Sequence, residues 1–106
     1  MITITVKKRN GNYLEFVSKG HAGYAEEGQD IVCAAVSALI INTVNSLEKF
    51  TDDNFDVHEK DGFVSIHFRN DLSEQGMLLM DSLLLGLTEI AGSYNNRYLT
   101  VKVKEV

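Results

Sequence analysis

Ile2, Ile4 and Val6 alternate with Thr3 and Thr5 at the start of the chain, the two-residue period of a strand with one buried face. Asn10-Gly11 follows, a pair that tolerates the positive φ of a tight hairpin. Tyr13–Lys19 predicts the returning strand, with Leu14 and Phe16 on one face. Gly20 to Gln29 has no period and contains Gly20, Gly23 and Gly28, which predicts a loop. Asp30 suits a helix N-cap. From Ile31 to about Phe50 the apolar spacing is helical and leaves almost no polar face in the first turns, so this helix is expected to be buried on most sides.

Thr51 to Asn54 interrupts that pattern. Phe55 and Val57 open a strand, Lys60-Asp61-Gly62 turns the chain, and Val64, Ile66 and Phe68 alternate on the next strand. Asn70-Asp71 offers a helix start, and Leu72 to about Ala91 predicts a second long helix. Its inward stripe runs through Met77, Leu78, Met80, Leu83, Leu84, Leu87, Ile90 and Ala91, with Leu79 and Leu85 widening it. Gly92 fits the position after a helix C-terminus. Leu99, Val101 and Val103 alternate with Lys102 and Lys104 as a last strand.

The order is β-β-α-β-β-α-β. Strands with one apolar face and two apolar helices predict an α/β two-layer sandwich, a mixed sheet with two long helices on one face. The surplus apolar helix surface reads either as a homodimer interface or as a thick core.

With 106 residues the chain is read as one domain, residues 1–106. At 44% apolar and 24% charged residues it has a globular composition. The apolar stretches are expected to be too short and too interrupted to span a bilayer, and no targeting segment is visible, so the expectation is a cytoplasmic protein that binds no membrane. A single cysteine excludes an internal disulfide framework and a four-cysteine zinc site. No spacing of the three His and one Cys suggests a metal, and no glycine motif suggests a phosphate-bearing cofactor, so none is expected.

The formal charge of −5 argues against direct nucleic-acid binding. It is unevenly spread. Residues 1–20 carry a net +3 (Lys7, Lys8, Arg9 and Lys19 against Glu15), residues 97–106 a net +2, and residues 21–96 a net −10. Lysines on exposed strand edges block edge-to-edge pairing, whereas an acidic middle attracts a basic partner. Both readings fit.

Chemistry concentrates between Gly20 and Leu39 (GHAGYAEEGQDIVCAAVSAL). Cys33 is the third residue after the Asp30 cap, where free N–H groups and the helix dipole favour an anion and hence a thiolate nucleophile. His21, at the end of a strand, is carried back towards the helix start by the loop and can activate that thiol and protonate a leaving amine. The plainer reading of Cys33 is a small buried hydrophobe. Asp30 either caps the helix or also orients His21. Ser37, one turn after Cys33, bonds near the site or back to its own helix. Gly20, Gly23 and Gly28 are hinges of a loop that closes over a substrate, or plain turn positions. In the first case Tyr24, Glu26 and Glu27 face the substrate. His58 and His67 read as surface or sheet-face residues.

The pattern Gly20-His21, then a loop, then Gly28-x-Asp30-x-Val32-Cys33-Ala34-Ala35-Val36-Ser37 resembles the ribosomal-processing cysteine protease family of bacteria (Prp). The resemblance implies a homodimeric cysteine endopeptidase with a Cys33/His21 dyad and supporting roles for Asp30 and Ser37. The implied substrate is the N-terminal extension of a basic large-subunit ribosomal protein, number twenty-seven. Thiolate attack would give a thioester, with N–H groups at the helix start stabilising the oxyanion. The alternative from another class is a non-catalytic, ribosome-associated or assembly-binding module with a buried cysteine.

Overall fold

A computed structural model describes residues 1–26 and 29–106. Glu27 and Gly28, and with them the hinge expected at Gly28, lie outside the described residues. The elements are β1 (Ile2–Arg9), β2 (Asn12–Lys19), α1 (Ile31–Phe50), β3 (Phe55–Lys60), β4 (Phe63–Phe68), α2 (Glu74–Ser93) and β5 (Leu99–Glu105). One sheet contains all five strands in the order β3-β4-β2-β1-β5. β1 pairs antiparallel with β2 and parallel with β5, while β4 pairs antiparallel with β2 and β3.

This topology dictates where the helices go. β2-α1-β3 and β4-α2-β5 are both crossovers between parallel strands, and they leave oppositely directed strands in opposite lateral directions. Right-handed connections then place both helices on the same face. The core agrees. Ile4, Val6, Phe16, Ile66 and Leu99 point from the sheet into one buried cluster that takes in Val32, Val36 and Ile40 of α1 and Met80, Leu83 and Leu87 of α2. Thr3, Thr5, Val17 and Ser65, on the other face, are half-buried. The two-layer sandwich read from the sequence is the architecture observed.

Several expectations are corrected. In β2, Lys7 pairs with Glu15 and Lys8 with Tyr13, so Leu14 has no partner across the ladder. This bulge turns Tyr13, not Leu14, into the core beside Phe16, leaving it 2% exposed. The Tyr13 hydroxyl donates to Asp81 Oδ1 of α2 at 2.5 Å.

α1 is not buried on most sides. Val32, Val36, Ile40, Thr43 and Leu47 face the core, whereas Ala34 and Ala38 are exposed and Ile41 is 54% exposed. α2 likewise turns Leu78 (70% exposed) and Leu85 (64% exposed) outwards.

The start of α2 is Ser73, not Asn70-Asp71. The Ser73 Oγ accepts from Gly76 N at 3.0 Å, and Ser73 N and Oγ donate to the Asp53 carboxylate at 2.9 and 2.8 Å. Asp53, in the α1–β3 connection, therefore fixes the cap. Gly92 lies inside the helix, and the reversal after it uses Asn95 and Asn96 at φ 54 and 58, with Asn96 N donating to Ala91 O at 2.9 Å.

Finally, both helices are 20 residues long and, by length and composition, apolar enough to cross a membrane, contrary to the expectation of stretches too short to do so. Here their buried stripes cover the sheet.

Candidate active site

β2 ends at Lys19, and the chain leaves the sheet through Gly20. Its φ is 99, and a side chain there would run into the Met1 carbonyl. Gly20 N donates to Gly62 O at 2.8 Å, which ties this exit to the β3–β4 turn. His21 is thereby set over that turn. Its imidazole lies against Gly62, where an added Cβ would sit 2.8 Å from Nε2. Nε2 is also 3.9 Å from Asp61 Oδ1, and the His21 side chain is 64% exposed.

The next residue reaches the cysteine. The backbone N–H of Ala22 donates to Cys33 Sγ at 3.2 Å. Asp30 fastens the rest. Its Oδ1 accepts from Val32 N and Cys33 N, both at 3.0 Å, and its Oδ2 accepts from Tyr24 N at 3.1 Å and Ala25 N at 3.5 Å. These N–H groups, Cys33's first, hold the Asp30 carboxyl below its ordinary value. One carboxylate thus caps α1 and pins residues 24 and 25 to it.

Cys33 is half-buried in the first turn of α1. It opens on a groove of about 1040 Å³ between α1 and the β3–β4 hairpin. His21, Gly20, Gly23, Asp30 and Ser37 line the same groove, as do Ile41, Val57 and the Lys60–Gly62 turn. Glu59 and Asp61 add negative charge to its wall. Among the described residues, no group of three or more His, Cys, Asp or Glu side chains is placed to hold a metal ion.

The sequence-predicted residues are therefore gathered, with differences in detail. His21 and Cys33 share the groove, but no hydrogen bond joins them among the described residues. Asp30 takes the cap role and spends both oxygens on backbone N–H groups, so the acid beside His21 is Asp61. Ser37 faces the groove and makes no hydrogen bond back to its own helix among the described residues. The helix-start N–H groups expected to meet an oxyanion are already engaged: Val32 N and Cys33 N by the Asp30 side chain, Ala34 N by the Asp30 carbonyl at 3.1 Å. Tyr24 turns away from the groove and packs on Tyr94 and Tyr98, with ring centroids 5.6 and 5.2 Å away. Glu26 is exposed outside the groove lining, and Glu27 lies outside the described residues. His58 and His67 are exposed on their strands, as read.

Asp61 and Gly62 were missed as site residues. Their Asp-Gly pair signals only a hairpin turn, and nothing local says that a histidine forty residues earlier rests on it.

Comparison with known proteins gives a consistent result. The family described as Cysteine protease Prp matches residues 1–99. Ribosomal processing cysteine protease Prp of Staphylococcus aureus is 30% identical over 98 residues, covering 90% of this chain and 92% of that protein. The Bacillus subtilis protein of the same name is 29% identical over 103 residues, covering 91% and 92%. Among solved structures, the S. aureus ribosomal processing protease Prp with a covalently linked product peptide superposes with a TM-score of 0.93 at 28% identity, covering 98% of this chain and 100% of that one. SMU.848 of Streptococcus mutans gives 0.83 at 36% identity, covering 100% and 96%. With the family match running from the first strand into the last, and a cysteine at the head of a peptide-sized groove, the chain belongs to the Prp family of ribosomal-processing cysteine proteases.

Proposed function

We propose that this protein is an endopeptidase that removes the N-terminal extension of a basic large-subunit ribosomal protein, number twenty-seven, with Cys33 as nucleophile and His21 as acid and base. The observation that carries this reading is the Ala22 N–H donated to Cys33 Sγ at 3.2 Å, in a groove that His21 also lines. That N–H holds the sulfur at the groove, beside the strand end that carries His21.

The Cys33 thiolate adds to the scissile carbonyl carbon, forming the S–C bond. The C–N bond then breaks as the His21 imidazolium gives its proton to the leaving amine. The imidazole next takes a proton from water, the hydroxide cleaves the thioester, and Cys33 leaves as thiolate. His21, which lines the same groove as the sulfur, is the acid and base of both steps. With the helix-start amides engaged by Asp30, the Ala22 N–H that meets the sulfur is the donor we assign to the oxyanion as negative charge leaves the sulfur.

An extended peptide suits the groove, and Glu59 and Asp61 on its wall suit a basic one. The S. aureus protease, similar throughout this chain, has been solved with a substrate peptide. The outward leucines Leu78 and Leu85 support a homodimer; a cytoplasmic location follows from the ribosomal substrate. The test is incubation of a peptide spanning that extension with the wild type, Cys33→Ala and His21→Ala. Cleavage by the wild type alone is expected. Cleavage that persists in Cys33→Ala removes the assigned nucleophile. A wild type that binds the peptide and the full ribosomal protein but cuts neither is a binding module.

A further inference from the structure

Tyr24, Tyr94 and Tyr98 close a triangle of edge-to-face contacts. Their centroids are 5.6, 5.2 and 5.5 Å apart, and the rings cross at 71, 79 and 75°. Two of the rings stand on fixed backbone. Tyr98 O accepts from Ile2 N at 2.9 Å, which locks it to the start of β1, and Tyr94 O accepts from Arg97 N at 3.1 Å in the turn that closes α2. The third ring belongs to the loop that follows His21. Its own N–H donates to Asp30 Oδ2, and two residues earlier Ala22 N–H donates to Cys33 Sγ.

We propose that Tyr94 and Tyr98 are positioning residues for the proteolytic site: their rings seat Tyr24, and the seated loop holds the Ala22 N–H on the Cys33 sulfur. The inference rests on the reading of Cys33 as the nucleophile only for its effect on cleavage. Its structural content is independent of that reading. The loop between His21 and Asp30 contains glycines, and among its described residues only Ala22 is buried. Its polar fastenings to Cys33 and Asp30 all depend on where residues 22–25 lie. Beside the buried Ala22, the aromatic seat is the apolar contact that fixes them. Edge-to-face pairs add stability beyond the area they bury.

The experiment is amide hydrogen exchange of the full chain, followed at Ala22, with Val36 in the core of α1 as reference. In Tyr98→Ala two of the three ring pairs are gone, and the Ala22 amide is expected to exchange roughly tenfold faster, while Val36 is unchanged. Tyr98→Phe keeps the ring and is expected to match the wild type. Tyr24→Ala takes the seated ring away from the exposed side, and is expected to reproduce the loosening even if Tyr98→Ala disturbs the fold.

In the cleavage assay, kcat/KM is expected to fall by a comparable factor in Tyr98→Ala and to be restored in Tyr98→Phe. Wild-type exchange at Ala22 in both alanine variants overturns the proposal. So does a Tyr98→Phe variant as loose as Tyr98→Ala. A wild type that cleaves nothing overturns the proposed function, while the exchange result still decides the aromatic seat.

Discussion

Ala22 and Cys33, eleven residues apart, are joined by one hydrogen bond from backbone N–H to sulfur at 3.2 Å. The residue directly before Ala22 is the histidine, so one short piece of chain carries both the imidazole and the amide that meets the thiol. β2 aims this piece, and Gly20 releases it from the sheet beside the β3–β4 turn. The first turn of α1 supplies the sulfur. The site is thus a junction of strand end, turn and helix start, and Asp30 sits at its centre with bonds to both sides.

Asp30 therefore has separable functions. Asn at this position still caps α1 through its carbonyl oxygen, but its amide nitrogen cannot accept from Tyr24 N and Ala25 N. Asp30→Asn is expected to keep the thermal stability of the wild type near pH 7 and to lose roughly tenfold in kcat/KM. Asp30→Ala loses both. The pH dependence has a definite sign. The folded carboxyl titrates below its ordinary value of 3.8, so its stabilisation is fully present above that value and is lost as pH falls through the folded pKa. Melting curves between pH 6 and pH 2 are expected to fall more steeply for wild type than for Asp30→Asn. Parallel curves would show that the carboxylate is not the linked group.

Gly62 is the seat of His21. An added Cβ would lie 2.8 Å from the imidazole Nε2, and the residue's φ of 68 is strained for any side chain. Gly62→Ala is expected to cost about 1 kcal/mol from the left-handed conformation and to push the imidazole off its position, lowering kcat/KM on the order of a hundredfold. Gly11→Ala is the control, because φ is 82 there and no atom lies within 4 Å of the added Cβ. It is expected to lower the melting temperature similarly and leave cleavage intact. Equal activity losses in the two variants would reduce the Gly62 effect to backbone strain.

The layers of the fold were legible because each element carries a strong period: Ile2, Ile4 and Val6 on β1, and the long apolar helices. The errors share one cause, which is that contacts from elsewhere decide local geometry. Leu14 alternates correctly with Phe16, but the bulge across from Lys7 and Lys8 hands the core position to Tyr13. Asn70-Asp71 is an adequate cap on local grounds, but Asp53 binds Ser73. The same limit governs the site. Cys33, Asp30 and His21 lie within thirteen residues and could be read together. The Gly62 seat and the Tyr94 and Tyr98 rings come from distant parts of the chain with no chemical signature of their own.

Asp53 tests how far the second helix is independent of the site. Its carboxylate holds both Ser73 N and Ser73 Oγ, and replacing a cap partner costs about 1–2 kcal/mol. Asp53→Ala is expected to lose that much in urea unfolding at pH 7. It is expected to leave peptide cleavage at 25 °C unchanged, because Asp53 and Ser73 lie outside the groove. A loss of cleavage in fully folded Asp53→Ala would mean that the α2 cap bears on the groove.

Tyr13 gives the alkaline counterpart. Burial first, then the hydrogen bond and charge of Asp81, push its phenol far above the ordinary value of 10.0. A phenol whose folded pKa is raised stabilises the protein fully below its unfolded pKa, and that stabilisation is lost as pH climbs past 10. Tyr13→Phe keeps the ring in the core and removes the bond to Asp81, which is solvent-exposed and is not left stranded. The variant is expected to be about 1 kcal/mol less stable at pH 7. Above pH 10 only the wild type releases a phenolic proton from this position on unfolding, which favours its unfolded state, so its advantage is expected to shrink steadily and then reverse. Urea unfolding of both proteins from pH 7 to pH 11 measures the difference, and titrations shared by both chains cancel in it. A constant gap across that range would mean that Tyr13 is ionising in the folded state as readily as in the unfolded one, and that the Asp81 contact does not persist in solution.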